Sequence, residues 1–137
     1  MTVIADTGAL FALVDSSDAW HQRVIDWWRA NSGPVVIPST VLPELAYLLH
    51  TRINPDAEAA FVRALADGEF TTEPFLDEDL PRTADLVERY VDLPLGFVDA
   101  SVAAIAERLE ARKLLTTDRQ HFGVLRPRHA RGFTLLP

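Results

Sequence analysis

The stretch VIADTGALFALVD, residues 3–15, runs an apolar strand-like segment straight into an acid and then into a second apolar segment. VIA has the short continuous apolar character of a buried strand, and GALFALV reads as a helix directly behind it. Asp6 stands at the joint, where a short oxygen-bearing side chain can accept from the free N–H groups of a first helical turn. A strand feeding a helix in this way opens an α/β unit. In such folds ligands collect beyond the carboxyl ends of the strands, so an acid at this joint has either a capping or a binding role.

Working outward, the same unit recurs. PVVIP (34–38) is a second buried strand leading into the helical STVLPELAYLLHTR (39–52), where Thr40 as cap would put Pro43 in the first turn. Before it, residues 18–31 place Trp20, Val24, Trp27 and Trp28 on one helical face, with Ser17 or Asp18 as cap. Asn54-Pro55 starts a helix that Gly68 ends. FTTEPF (70–75) is a third strand. Leu86, Val87, Tyr90 and Val91 form a helical stripe, and FVDASVAAIAERLEARK (97–113) is an Ala-rich helix after a break at Pro94 and Gly96. LLTTD and GFTLLP supply the last strands. The pattern predicts one α/β domain over residues 1–137, with a mostly parallel central sheet of four to five strands flanked by helices on both faces.

Composition excludes several classes. A chain of 137 residues that is 48% hydrophobic has a core of useful size. No apolar run reaches the roughly 20 residues of a membrane span, and no signal peptide is visible, so a soluble cytoplasmic protein is expected. Without cysteine there is no thiolate metal site, cysteine nucleophile or disulfide. A net charge of −7 argues against general attraction to nucleic acid, although Arg119, Arg126, Arg128 and Arg131 gather in a segment that has no acid.

Four acids fall where the sheet's ligand edge is expected. Asp6 follows the first strand and Asp118 follows LLTT; Glu44 lies in the first turns of the helix after the second strand, on an apolar stripe; Asp99 lies at the start of the 97–113 helix. Asp6, Asp99 and Asp118 taken singly are explained as caps or first-turn charges. Glu44 is not, because a carboxylate facing inward needs a partner. Asp56, Glu58, Asp77, Glu78 and Asp79 sit in polar runs at helix starts and read as solvated. Two carboxylates about 6 Å apart repel by roughly 3 kcal/mol at an effective dielectric of 20, so four ionised together cost on the order of 15 kcal/mol. That rivals the stability of a domain. A cluster therefore requires protonation or cations, and an all-oxygen set suits hard ions such as Mg²⁺ or Mn²⁺.

DTGAL, ELAYLL, FVDASVAAIA and LLTTDRQHF, in this order and spacing, resemble the PIN-domain ribonucleases, and among them the VapC toxins of bacterial toxin–antitoxin pairs. The resemblance covers essentially the whole chain. It implies a Mg²⁺- or Mn²⁺-dependent endoribonuclease, usually dimeric, silenced by a VapB-type antitoxin whose C-terminal segment occupies the active-site groove. Carried over by position, Asp6, Glu44, Asp99 and Asp118 match the family's acids. Thr7 and Thr117 match places where a hydroxyl is common, and Ser101 is a further candidate for hydroxyl support. Gly8 stands where many relatives have Ser.

The expected mechanism is hydrolysis of an RNA phosphodiester by a metal-activated water, with the 3′-oxygen leaving and a 5′-phosphate on the product. Asp6 and Asp99 hold the principal ion, Glu44 and Asp118 complete its shell, partly through water, or hold a second ion, and Arg119, Arg126, Arg128 and Arg131 guide the RNA backbone. Two alternatives share an acidic pocket. A receiver-like signalling module wants adjacent acids after the first strand and a late Lys, whereas the chain has one Asp there and its only Lys, Lys113, precedes its strand. A small-substrate metal-dependent phosphatase is not separated by sequence. Trp20, Trp27 and Trp28 read as core, dimer or antitoxin contact rather than base-stacking groups, and the four histidines have no metal-ligand spacing.

Overall fold

β1 (Val3–Ala5) is the middle strand of a five-stranded, wholly parallel sheet in the computed structural model, which describes residues 1–137. The order is β3-β2-β1-β4-β5, with β2 at Val35–Pro38, β3 at Thr71–Glu73, β4 at Lys113–Leu115 and β5 at Thr134–Leu136. The chain builds outward through β2 and β3, then returns to the other side of β1 for β4 and β5. The order therefore reverses between β1 and β4, which is where a doubly wound sheet opens a crevice. All of β1 is buried, as expected of a parallel strand covered on both faces.

The helices are α1 (Thr7–Val14), α2 (His21–Ala30), α3 (Leu42–Arg52), α4 (Pro55–Ala66), α5 (Leu80–Arg89), α6 (Phe97–Arg108) and α7 (Arg119–Val124). One core gathers Ile4, Leu10, Val24, Ile37, Leu45, Leu49, Phe61, Leu114 and Phe122, and a smaller one unites Leu86, Leu95, Ala100, Ala103 and Leu125. Alanine-rich α6 is buried from Ala100 to Ala106, because small side chains let it pack closely on both sides. Trp20, Trp27 and Trp28 are half-buried against the main core, and Trp28 meets Phe70 edge-on at 6.1 Å. Asn54 caps α4 by accepting from the Ala57 N–H at 2.8 Å, and Gly68 takes the left-handed φ of 77° behind it.

Several expectations are corrected. α2 begins only at His21, and Asp18 instead accepts from the Trp20 N–H at 2.8 Å in the turn before it. A 3₁₀ turn, Ser39–Val41, precedes α3, so Thr40 is not its cap, although Pro43 does fall in the first turn. Val91 lies past the end of α5 and is 65% exposed, and α6 stops at Arg108, so Lys113 opens β4 instead of preceding it. Asp79 is not solvated: it is 3% exposed, accepts from the Leu76 N–H and is clamped by Arg108 at 2.8 Å. Arg108 also reaches Glu73 at 2.8 Å, and Arg82 pairs with Glu107 at 2.9 Å, which fastens β3 and α5 to the C-terminal turn of α6. The polar run conceals Asp79 because its partner lies 29 residues further along the chain.

Candidate active site

Asp6 ends β1 and caps α1, its Oδ1 accepting the Ala9 N–H at 3.0 Å. Its own N–H donates to Leu115 O at 3.1 Å, which carries the β1–β4 pairing one residue beyond the Ala5–Leu115 rung. That register sets Thr116 beside Asp6, and the Thr116 hydroxyl donates to Asp6 Oδ2. The same hydroxyl oxygen accepts the Asp118 N–H at 2.9 Å. One threonine thus links the acids that follow two neighbouring strands. Asp118 in turn caps α7, accepting the His121 N–H at 2.9 Å and contacting His121 Nδ1 at 2.6 Å.

Asp99, in the first turn of α6, and Glu44, in the first turn of α3, complete the ring. Asp6, Glu44, Asp99 and Asp118 all line one cavity of about 440 Å³, with Thr7, Gly8, Gly96, Phe97, Val98 and Thr117. Each acid stands at the N-terminal end of a helix, where the exposed N–H groups favour negative charge. Lining residues include no Lys or Arg. Ligand atoms of Asp99, Asp118 and His121 come within 4.8 Å of one another, while Asp6 and Glu44 share the cavity without joining that tight group.

Burial, above all, lifts the Asp6 carboxyl to about 7, and Asp99 and Asp118 add to the rise against the opposing bonds from Thr116 and Ala9. Asp99 is lifted to about 6 by burial first and then by Asp118 and Glu44, with His121 pulling the other way. The His121 imidazole is raised, chiefly by its bond to Asp118. Its Nε2 also reaches Leu93 O at 3.0 Å, and since a carbonyl only accepts, both ring nitrogens donate when the ring is cationic. In that cationic form His121 is a pinned countercharge beside Asp118 and Asp99.

Other expected residues are placed differently. Glu44 is exposed at the cavity rim rather than turned inward, so it needs no buried partner. Ser101 is fully buried, with its hydroxyl between Thr40 Oγ1 and Val98 O, both at 2.6 Å; it braces α6 against the turn before α3 and does not line the cavity. Thr117 lines the cavity at the face of Gly8, where an added Cβ would come within 2.5 Å of the Thr117 hydroxyl. Glycine here admits that hydroxyl. None of Arg119, Arg126, Arg128 and Arg131 lines the cavity. Arg119 donates to Pro137 O at 2.8 Å, Arg126 to Gly123 O at 3.3 Å, and Arg128 stands 3.6 Å from Asp85; Arg131 is exposed.

Thr116 and His121 are the site residues that sequence reasoning does not find. Thr116 is distinguished from Thr117 only by strand register. His121 reads as one of four dispersed histidines unless α7 is foreseen; once Asp118 is a cap, the i+3 spacing brings His121 onto it.

A divalent cation fits this set. The acids are crowded with no Lys or Arg in the lining, two carry raised pKa values, and Thr7 Oγ1 is buried at the cavity without a hydrogen-bond partner. Oxygen donors of this kind suit a hard ion. Residues 3–125 match the PIN domain model. The chain belongs to the PIN-domain family. Among relatives of this PIN domain, Ribonuclease VapC26 of Mycobacterium tuberculosis (strain ATCC 25618 / H37Rv) is 35% identical over 135 residues, covering 98% of this chain and 100% of the relative. Among solved structures, Mycobacterium tuberculosis VapC20, described as a sarcin–ricin loop cleaving toxin, superposes with a TM-score of 0.83 at 20% identity, over 94% of this chain and 98% of that one. DNA-bound VapBC from Salmonella typhimurium gives 0.73 at 15% identity, over 98% and 96%. The shared fold accounts for the all-parallel sheet and the crevice at its reversal point. No helix is long and apolar enough to cross a membrane.

Proposed function

We propose that this PIN domain is a metal-dependent endoribonuclease acting in the cytoplasm as the toxin of a VapBC-type pair, with Mg²⁺ or Mn²⁺ as cofactor. The observation that carries the reading is the convergence of Asp6, Glu44, Asp99 and Asp118, from four separate segments, on one crevice where the strand order reverses. Kinship with Ribonuclease VapC26 over nearly the full chain supports RNA as the substrate class. The solved VapBC complexes support an antitoxin partner, and a toxin homodimer within the hetero-oligomer belongs to the same proposal. The sarcin–ricin loop named for VapC20 is the first ribosomal RNA element to test.

Asp6, Asp99 and Asp118 would hold the ion, with Glu44 at the rim and the Thr7 and Thr117 hydroxyls within the same cavity. When bound, a divalent cation supplies charge to offset the phosphate and lowers the pKa of water. The protein's part is to fix the acids beforehand. Thr116 and the Ala9 N–H hold both oxygens of Asp6, so its carboxylate cannot rotate away. The ring and the backbone N–H of His121 hold Asp118. One of the four acids would take the proton of the attacking water on a carboxylate oxygen. Attack in line with the 3′-oxygen leaves a 5′-phosphate. Arg126 and Arg131, outside the cavity, meet the RNA backbone away from the cut, and Arg119 and Arg128 contribute through their remaining exposed N–H groups.

The test is purification free of antitoxin, followed by incubation with a sarcin–ricin stem-loop, transfer RNA and an unstructured RNA in Mg²⁺ or in chelator. Cleavage is expected only with metal and is expected to vanish in Asp99→Asn. Cleavage that persists in chelator and in that variant would refute the assignment. A small phosphate monoester run beside the RNAs separates a phosphatase, which would hydrolyse it and spare the RNA.

A further inference from the structure

Phe97 is a large apolar side chain in the wrong place for a core residue. It opens α6 two positions before Asp99, lines the acid cavity and is 51% exposed. An exposed phenylalanine loses favourable burial, and α6 is otherwise buried along most of its length. The ring is nonetheless supported. Phe75 lies behind it, with centroids 5.7 Å apart and planes tilted by 56°. Phe75 is itself fixed, its N–H donating to Ser39 Oγ at 2.9 Å in the turn that leads to the helix of Glu44. The cavity wall thus carries one braced, solvent-facing aromatic ring beside the acids, and the only other apolar liner is Val98.

We propose that Phe97 is a substrate-positioning residue that stacks on the nucleobase flanking the scissile phosphate. This rests on the nuclease reading above. A phosphodiester seated among Asp6, Asp99 and Asp118 carries its two neighbouring bases to the cavity rim, within the span of one nucleotide. The rim there offers no Lys, Arg or amide side chain to read a base edge. The ring of Phe97 is the one aromatic surface in the lining, and stacking suits it because every base has a π-face. The acidic surroundings would repel the backbone of an unstacked strand, so the ring supplies an uncharged contact where charge cannot help. Trp20, Trp27 and Trp28, packed on the core and absent from the cavity wall, do not compete for this role.

Total bacterial RNA is digested with the antitoxin-free protein in Mg²⁺, and the cut site is mapped by 5′-end sequencing. A synthetic RNA of that site is then made intact and with an abasic ribose on either side of the cut. On intact RNA, Phe97→Ala and Phe97→Leu are expected to raise KM by about 5- to 150-fold with kcat little changed, because a base stack is made equally before and in the transition state. Phe97→Trp keeps a π-face and is expected to stay within about threefold of the parent. On one of the abasic substrates all four proteins should become equivalent. The inference is overturned if Leu serves as well as Phe, if the loss is the same on both abasic RNAs, or if kcat falls at constant KM, as damage to Asp99 would produce. A change in oligomeric mass in Phe97→Ala without loss on RNA assigns the ring to an interface and also overturns it. Wild-type protein that leaves all RNA intact breaks the nuclease reading itself, whereas cutting that is indifferent to position 97 breaks only this inference.

Discussion

Replacing Asp6 with asparagine should make the metal-free protein more stable at pH 8 while abolishing its activity. The Asp6 carboxyl moves from 3.8 to about 7 on folding, mainly through burial. A folded-state pKa raised on an acid means that the folded chain holds a proton which the unfolded chain has already released. The penalty is absent below about pH 4, grows as pH rises toward 7 and is complete above it. A rise of about 3 in pKa corresponds to about 4 kcal/mol. The asparagine side chain carries no charge, but its amide nitrogen cannot accept the bond that Asp6 receives from Thr116 or from the Ala9 N–H, which returns about 1–2 kcal/mol. The net gain is about 2–3 kcal/mol. Over 137 residues that is about 7–10 °C in Tm. Thermal melts by circular dichroism in chelator, from pH 4 to pH 8, measure it directly. The difference between variant and parent should be near zero or negative at pH 4 and positive at pH 8. Adding Mg²⁺ should raise the Tm of the parent more than that of Asp6→Asn. A difference independent of pH would refute the reasoning.

Further outcomes follow from neighbouring groups. Thr116→Val removes the hydroxyl shared by Asp6 and the Asp118 N–H, and should lower cleavage by about 10- to 100-fold, with weaker Mn²⁺ binding by calorimetry. His121→Gln removes a pinned cation whose pKa is raised by Asp118. That stabilisation is full below the unfolded value of 6.5 and is lost as pH rises through the folded one, so urea melts should show a larger deficit at pH 6 than at pH 9. Arg108→Ala leaves Asp79, 3% exposed, without its partner and should cost about 3–5 kcal/mol in denaturant unfolding, with no specific effect on the metal.

Much of the site is legible in the sequence because its logic is local. Asp6 can be placed from a strand that runs into a helix, and Asp99 from a helix start after Pro94 and Gly96; neither depends on a distant contact. What the sequence conceals depends on register or on long-range pairing. Thr116 and Thr117 are adjacent and chemically identical, and only the pairing of Ala5 with Leu115 tells which one meets Asp6. Asp79 reads as solvated among Asp77 and Glu78 until Arg108 is folded against it. Glu44 reads as inward from its apolar neighbours, yet a first-turn position at a cavity mouth leaves it exposed. The arginines near the C-terminus read as one basic patch, but Arg119 and Arg126 are engaged by backbone carbonyls, Arg128 approaches Asp85, and none lines the cavity. Phe97 reads simply as the start of an apolar helix, and only its exposure beside the acids separates it from the core.

Anomalous diffraction from a crystal soaked in Mn²⁺ tests the central claim most directly. The account predicts a manganese peak in the crevice between β1 and β4, coordinated by carboxylate oxygens of Asp6, Asp99 and Asp118 and lost in Asp99→Asn. A crevice without manganese at saturating concentration, or manganese bound only elsewhere, would contradict it.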